Sequence, residues 1–205
     1  MEKSKSILLQ QIANHLIMNS SFLTDLSLYH GKTGIVLFLY NYARYTKNPV
    51  YEEFAGELLD EIFNEIHDNI GPDFENGLSG IGWGVLYLIK NQFISGDPND
   101  ILEDIDMKMM EVNLLKVRNN SLERGIAGFS VYLSYRLSFQ EGLSYFDTDF
   151  VSDLQKVISD KGINVEFDLY SIINQCTYSS VDEIGITSLG LCKGYAGYGL
   201  KLMAG

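Results

Sequence analysis

Proline, cysteine and tryptophan are scarce in this sequence, with 3, 2 and 1 of them in 205 residues. The two cysteines, Cys176 and Cys192, are too few for the disulfide framework of a small secreted protein, so we expect reduced thiols. The low proline content, with 46% hydrophobic and 20% charged residues, argues against a disordered or fibrous chain. The length fits a single domain over residues 1–205.

Positive charge is also scarce, since 15 Lys and Arg stand against 27 Asp and Glu, a net charge of −12. This balance argues against a nucleic-acid partner and against an anionic membrane surface. No segment approaches the ~18 consecutive apolar residues of a membrane span. The apolar stretch 7–18 contains polar residues that a signal peptide lacks. We therefore expect a soluble, cytoplasmic protein that binds neither nucleic acid nor membrane.

Glycine, by contrast, recurs in a fixed pattern. A Gly-x-x-Gly pair occurs four times, each time followed by an apolar segment, and the intervals between the first glycines are 46, 48 and 69 residues. The longer third interval indicates an insertion before the fourth copy. We expect the first glycine to allow a positive φ and the second to allow close packing. The first glycines of the four copies are Gly31, Gly77, Gly125 and Gly194.

Two kinds of helix alternate in the predicted structure. Segments 35–42 and 85–89, after the glycines, are apolar on nearly all sides, which indicates burial on every face. Segments 51–67 and 101–117 carry their apolar residues on one stripe, which predicts amphipathic outer helices. The alternation predicts an all-α fold, an α/α toroid of about four repeats that is incomplete at the C-terminus. Residues 162–167 give a strand signal, either a short edge strand or part of the insertion.

Three segments carry a resemblance to a known family. They are His30-Gly-Lys-Thr-Gly-Ile, Asn76-Gly-Leu-Ser-Gly-Ile-Gly-Trp-Gly and Gly190-Leu-Cys-Lys-Gly-Tyr-Ala-Gly. Over residues 24–205 the chain resembles the lanthionine synthetase C-like (LanC-like) family. The resemblance implies an α/α toroid, with more repeats in the family than the four seen here. It also implies a relation to zinc enzymes in which a peptide cysteine thiol adds to dehydroalanine or dehydrobutyrine, closing a thioether ring. Related members are proposed to add glutathione to such sites.

The sequence departs from the family pattern at the metal ligands. The family places Cys-His directly before its last Gly-x-x-Gly, and here Cys192 matches the cysteine while Lys193 replaces the histidine. The second zinc cysteine of the family follows a tryptophan, whereas Cys176 follows Asn174-Gln. Catalytic zinc usually keeps three protein ligands, and a protonated lysine is a poor one. We therefore expect no cofactor. Zinc remains the alternative, with Cys192 and Cys176 as its ligands.

Polar residues precede each glycine pair. Equivalent positions of a toroid should lie at one end, so these residues would form a polar rim around its mouth. Helix N-termini favour anions, and two basic residues would add to that preference. The alternative is that they are solvated turn residues or caps, such as Glu123 paired with Arg124. The predicted rim consists of His30, Glu75, Asn76, Glu123, Arg124 and Lys193.

Three functions follow, and the sequence leaves open whether the chain is an enzyme. The first is a relative of the peptide thioether cyclases with a degenerate active site, which Cys192 and the repeat favour. The second is a non-catalytic module that binds a peptide or protein at the toroid mouth, which Lys193 favours. The third is a homo-oligomer in which a second copy covers the apolar edge of an incomplete toroid.

Overall fold

The computed structural model describes residues 2–66, 69–139 and 145–205. Within these ranges the chain is helical and contains no β-strand, which confirms the predicted all-α class. Short 3-10 turns occur at Leu114–Lys116 and Val181–Glu183. The α-helices are α1 (Glu2–Ser20), α2 (Lys32–Thr46), α3 (Val50–Glu65), α4 (Leu78–Lys90), α5 (Pro98–Ile101), α6 (Glu103–Met110), α7 (Ile126–Leu137), α8 (Thr148–Lys161), α9 (Leu169–Cys176) and α10 (Tyr195–Ala204).

The helices gather into two compact units. The first unit combines Met1–Asp68 with Asp168–Gly205, and the second is the continuous segment Asn69–Phe167. The first unit therefore contains the first and fourth Gly-x-x-Gly turns, and the second unit contains the second and third. The single domain expected over residues 1–205 stays a prediction.

In the first unit, the buried helix α2 packs against α3, α10 and α1. Every residue of α2 from Lys32 to Tyr40 is buried, as the all-apolar pattern predicted. Helix α1 runs antiparallel to α10, because the ring of His15 lies 4.6 Å from that of Tyr195 while Lys5 lies near Lys201. The start of α1 therefore lies beside the end of α10.

In the second unit, α4 and α7 pack against each other, and α6 lies against α4. Trp83 on α4 is only 1% exposed. A buried polar network ties α6 to α7: the Tyr132 hydroxyl donates to Asp106 at 2.5 Å, and Arg136 Nε donates to the same carboxylate at 2.8 Å. Burying these charges is tolerable because each meets a partner.

Two of the predicted helices differ in extent from those in the structure. The outer helix expected over 101–117 is divided into α5, α6 and a 3-10 turn, because the chain bends at Leu102. Its N-cap is Asp97, whose carboxylate accepts the N–H of Asn99 at 2.8 Å. The helix expected over 51–67 ends at Glu65, and His67 lies outside the described residues.

Residues 162–167 do not form the edge strand that was one of two expectations. Gly162, with a φ of 60°, ends α8 in the left-handed conformation, and residues 163–168 follow without regular structure. They lie between the third and fourth turns, together with α8 and α9, in the segment predicted as an insertion.

Membrane-spanning helices were also sought. Among the described residues, every helix is too short or too polar to cross the hydrocarbon core of a bilayer.

Candidate functional site

A seven-residue loop before each buried helix organises the candidate site. In all four copies, the N–H after the first glycine donates to the carbonyl oxygen seven residues earlier, at 2.8 to 2.9 Å. At each of the four helix starts this one N–H is therefore bonded to the loop and is not open to an anion. In the fourth copy the next two N–H groups are bonded in the same way. The four pairs are Lys32 to Asp25, Leu78 to Gly71, Ile126 to Asn119, and Tyr195 to Ser188.

The loop explains why the glycines recur. The first glycines have φ between −107° and −140°, so the expectation of a positive φ at these turns was wrong. Instead, a Cβ on each would lie within 3.0 Å of the carbonyl oxygen six residues earlier. The main chain of the loop would have to shift to relieve this clash. Second glycines have the same restriction: a Cβ on Gly34, Gly128 or Gly197 would meet the carbonyl oxygen of Leu28, Leu122 or Leu191. The pattern therefore records close packing of each loop on its helix.

Neighbouring loops within a unit are joined by one recurring hydrogen bond. In the first unit, the N–H of Cys192 donates to the carbonyl oxygen of Tyr29 at 2.8 Å. In the second unit, the equivalent N–H of Glu75 donates to the carbonyl oxygen of Glu123 at 2.9 Å. The loops of the first unit are also tightly packed, since a Cβ on Gly190 would lie within 3.0 Å of the backbone of His30. Each unit thus holds two turns together.

Cys176 lies beside Cys192 in the first unit, although the two are separated by a loop and a 3-10 turn. The Cys192 Sγ is 4.0 Å from the carbonyl oxygen of Cys176, and the Cys176 thiol donates to Ile172 at 3.1 Å. The thiols are not joined in a disulfide. A hydrogen bond with the Cys192 thiol, and burial after it, raise the pKa of Cys176 far above its ordinary value. Cys176 is therefore a neutral thiol near pH 7.

Lys193 follows Cys192 in an unusual backbone conformation. Its φ is 54°, in the left-handed region, and its N–H donates to the carbonyl oxygen of Cys176 at 2.9 Å. Among the described residues, the other non-glycine positions with positive φ are Lys47 and Gln92. The conformation costs about 1 kcal/mol or more, which the packing around the turn must offset. We call Cys176, Cys192 and Lys193 the thiol cluster.

The thiol cluster does not fit a preformed catalytic zinc site. Catalytic zinc needs three protein ligands, and zinc binds thiolate rather than thiol. Throughout the part of the chain that the structure describes, His, Cys, Asp and Glu nowhere meet in a group of three able to hold a metal ion. Cys192 and Cys176 supply two sulfur atoms, and the third position of the family motif carries Lys193. No reaction step is therefore assigned to zinc.

The second unit brings together three of the predicted rim residues. Arg124 Nε donates to Glu75 at 2.9 Å, and this hydrogen bond raises the pKa of Arg124. Its observed partner is thus Glu75 of the neighbouring loop, rather than the adjacent Glu123 considered from the sequence. The carbonyl oxygen of Glu123 accepts the N–H groups of Phe74 and Glu75.

The remaining rim residues are exposed side chains. Asn76 lies on the surface of the second unit, and His30 and Lys193 lie on the surface of the first. Reasoning from sequence paired Cys176 with Cys192 as candidate ligands, but it missed the main-chain bond from Lys193 to Cys176, which joins residues distant in the chain. One rim made of all six side chains stays a prediction.

Comparison with known proteins agrees with these observations. The family model described as lanthionine synthetase C-like protein matches residues 23–204. No curated protein matches the chain. The match covers all four glycine turns, and with the alternation of buried and outer helices it confirms the α/α-toroid fold class and the resemblance. The chain therefore belongs to the lanthionine synthetase C-like family.

Proposed function

We propose that this LanC-like chain binds a peptide at the thiol cluster without zinc-assisted ring closure. The family supplies the class of partner, because its classical members act on peptides that carry cysteine and dehydroamino acids. The chain is then a relative of the thioether cyclases with a degenerate site. The proposal rests on the family membership and on the metal-binding chemistry of the residues at the site.

One observation carries the proposal: Lys193 stands where the family has its zinc histidine. Its ammonium has no lone pair for a metal near neutral pH. The neighbouring Cys176 thiol is neutral and donates to a main-chain oxygen. Without the histidine, the site lacks the third protein ligand that a catalytic zinc ion usually has.

Exposure of the cluster supports binding. Lys193 is exposed, Cys176 and Cys192 are half-buried, and His30 on the neighbouring loop is exposed, so a peptide can reach all four side chains. A peptide carboxylate or carbonyl oxygen can pair with the Lys193 ammonium, and an apolar peptide side chain can contact the sulfur atoms. The cluster is built on the tightly packed loops of the first and fourth turns. Such preorganised loops lower the ordering cost of binding.

The test uses a short peptide that contains one cysteine and one dehydroalanine, with a fluorescent label. Zinc is measured in the purified protein by plasma mass spectrometry, before and after incubation with zinc chloride and desalting. We expect zinc far below one ion per chain, saturable binding of the peptide, and no loss of its thiol. The variant Lys193→Ala should bind more weakly. Its matched control is Lys47→Ala, because Lys47 is an exposed lysine with a φ of 56° at the end of α2.

Two results would overturn the proposal. One zinc ion per chain, together with consumption of the peptide thiol, would establish the cyclase alternative, which the family match and Cys192 favour. Absence of peptide binding, or equal loss in Lys193→Ala and Lys47→Ala, would remove the cluster as a peptide site.

A further inference from the structure

We infer that the first unit carries a separate groove, between α1 and α10, for an acidic peptide segment with an apolar anchor. The groove has a volume of about 700 Å³. This is within the range of roughly 300–1,000 Å³ that ligand sites occupy. Its lining includes none of the cluster residues, although Tyr178 follows Cys176 by two positions. Its main lining residues are Lys5, Leu8, Tyr178, Tyr198, Lys201 and Leu202.

The two helices divide the lining into an apolar floor and charged rims. Leu8 on α1 and Leu202 on α10 are half-buried, so each keeps part of an apolar side chain accessible. One lysine stands on each helix, Lys5 on α1 and Lys201 on α10. An elongated groove between two helices, with an apolar floor, is the shape that receives a peptide helix or an extended segment.

Charge selects the partner. The lining contains two lysines and neither an aspartate nor a glutamate, although the chain as a whole has a net charge of −12. Within the described residues, no carboxylate lies within 4.0 Å of the Lys5 or Lys201 ammonium. Unpaired cations beside an apolar floor complement a segment whose carboxylates flank an apolar side chain.

Two tyrosines of the groove lining would contact the apolar side chain of the peptide. Tyr178 and Tyr198 are both half-buried in the lining. A tyrosine offers a rigid aromatic surface and a hydroxyl, and such residues commonly anchor interfaces. We therefore place an apolar peptide side chain between Leu8 and Leu202, with tyrosine rings beside it. The peptide carboxylates would pair with Lys5 and Lys201.

The experiment compares two blocked peptides that share alternating leucines, one with glutamates between them and one with lysines. Each is titrated into isotope-labelled full chain and followed by backbone NMR. We expect the acidic peptide to shift amides of residues 4–8, 178–179 and 198–202, and the basic peptide to bind at least about tenfold more weakly. Binding of the acidic peptide should weaken as salt rises, because salt screens the attraction between the peptide carboxylates and the two lysines.

Charge reversal tests the assignment. The double variant Lys5→Glu/Lys201→Glu should lose binding of the acidic peptide by about tenfold or more. Lys47→Glu, at the end of α2, is the control for net charge. If the reversal variant unfolds by circular dichroism, Lys5→Gln/Lys201→Gln replaces it and should lose binding less steeply.

Three results would overturn the inference. Equal binding of the acidic and basic peptides would remove the charge argument. Shifts centred outside the groove would place the peptide elsewhere. Concentration-dependent dimerisation that the lysine variants abolish would show that a second copy covers this surface.

Discussion

The main-chain N–H of Lys193 donates to the carbonyl oxygen of Cys176 at 2.9 Å, and the Cys192 thiol lies 4.0 Å from the same oxygen. This shared oxygen joins the end of α9 to the fourth glycine loop. It brings two cysteines together directly before the fourth glycine turn. Lys193, beside them, occupies the position at which the family pattern has a histidine.

Restoring a histidine should create zinc binding. In the variant Lys193→His, the imidazole would add a third ligand beside Cys176 and Cys192, and histidine tolerates a φ of 54° better than most residues. We expect about one zinc ion per chain by plasma mass spectrometry, and a cobalt derivative with thiolate charge-transfer absorption. Lys193→His/Cys176→Ala is the control and should lose the metal. A metal-free Lys193→His protein would contradict the arrangement of the two thiols.

Alkylation should be slow at Cys176 and faster when its neighbour is removed. The hydrogen bond with Cys192 is the largest cause of its raised pKa, so Cys192→Ala should lower that pKa and increase the thiolate fraction. Iodoacetamide labelling, read by peptide mass spectrometry from neutral to alkaline pH, should show the rate at Cys176 rising at lower pH in the variant. An equal acceleration at every pH would indicate greater access alone and would count against this explanation.

Substitution of a loop-packing glycine should be far more damaging than substitution of a nearby exposed one. A Cβ on Gly128 would lie within 3.0 Å of the Leu122 carbonyl oxygen and of the Phe74 side chain, whereas one on Gly71 would meet nothing within 4 Å. We expect Gly128→Ala to lower the free energy of unfolding by about 3 kcal/mol or more. Gly71→Ala should stay within about 0.5 kcal/mol of the parent. Urea denaturation measures both, and similar losses would refute the packing argument.

Replacing Lys32 should destabilise the protein less than replacing its two glutamate partners. The Lys32 side chain is 3% exposed and its ammonium lies 3.0 and 3.2 Å from Glu61 and Glu65, which are 47% and 49% exposed. Lys32→Met returns two carboxylates to water and should change the free energy of unfolding by less than about 1 kcal/mol. Glu61→Ala/Glu65→Ala leaves a buried ammonium and should lose about 2 kcal/mol.

Urea denaturation again measures the two variants, with Glu57→Ala as the control for an exposed glutamate of α3. The pH dependence gives a second readout. Burial lowers the pKa of Lys32, but the hydrogen bonds and charges of Glu61 and Glu65 outweigh it, and the net direction is upward. The stabilisation is therefore complete below the ordinary lysine pKa and is lost as pH rises through the higher folded value. A parent that loses this advantage over Lys32→Met already near neutral pH would contradict the pairing.

The sequence by itself determined the helical repeat, because close packing of a loop on a helix requires glycine, and the recurring glycine pairs are visible in the sequence. The positions of Gly31, Gly77, Gly125 and Gly194 can be read from the sequence, but their physical reason, close contact with carbonyl oxygens rather than a positive φ, came from the structure. The apolar run after each pair likewise predicts burial on all sides, as α2 and α4 show. The identity of Lys193 at the histidine position also needed no coordinates.

Tertiary structure alone decided which segments meet. The bond from Lys193 to Cys176 and the pairing of Arg124 with Glu75 join residues from distant parts of the sequence. A main-chain carbonyl can accept a hydrogen bond whatever side chain it carries, so such contacts leave no signature in the residue types. The bonding of the helix N-termini by their own loops is hidden for the same reason.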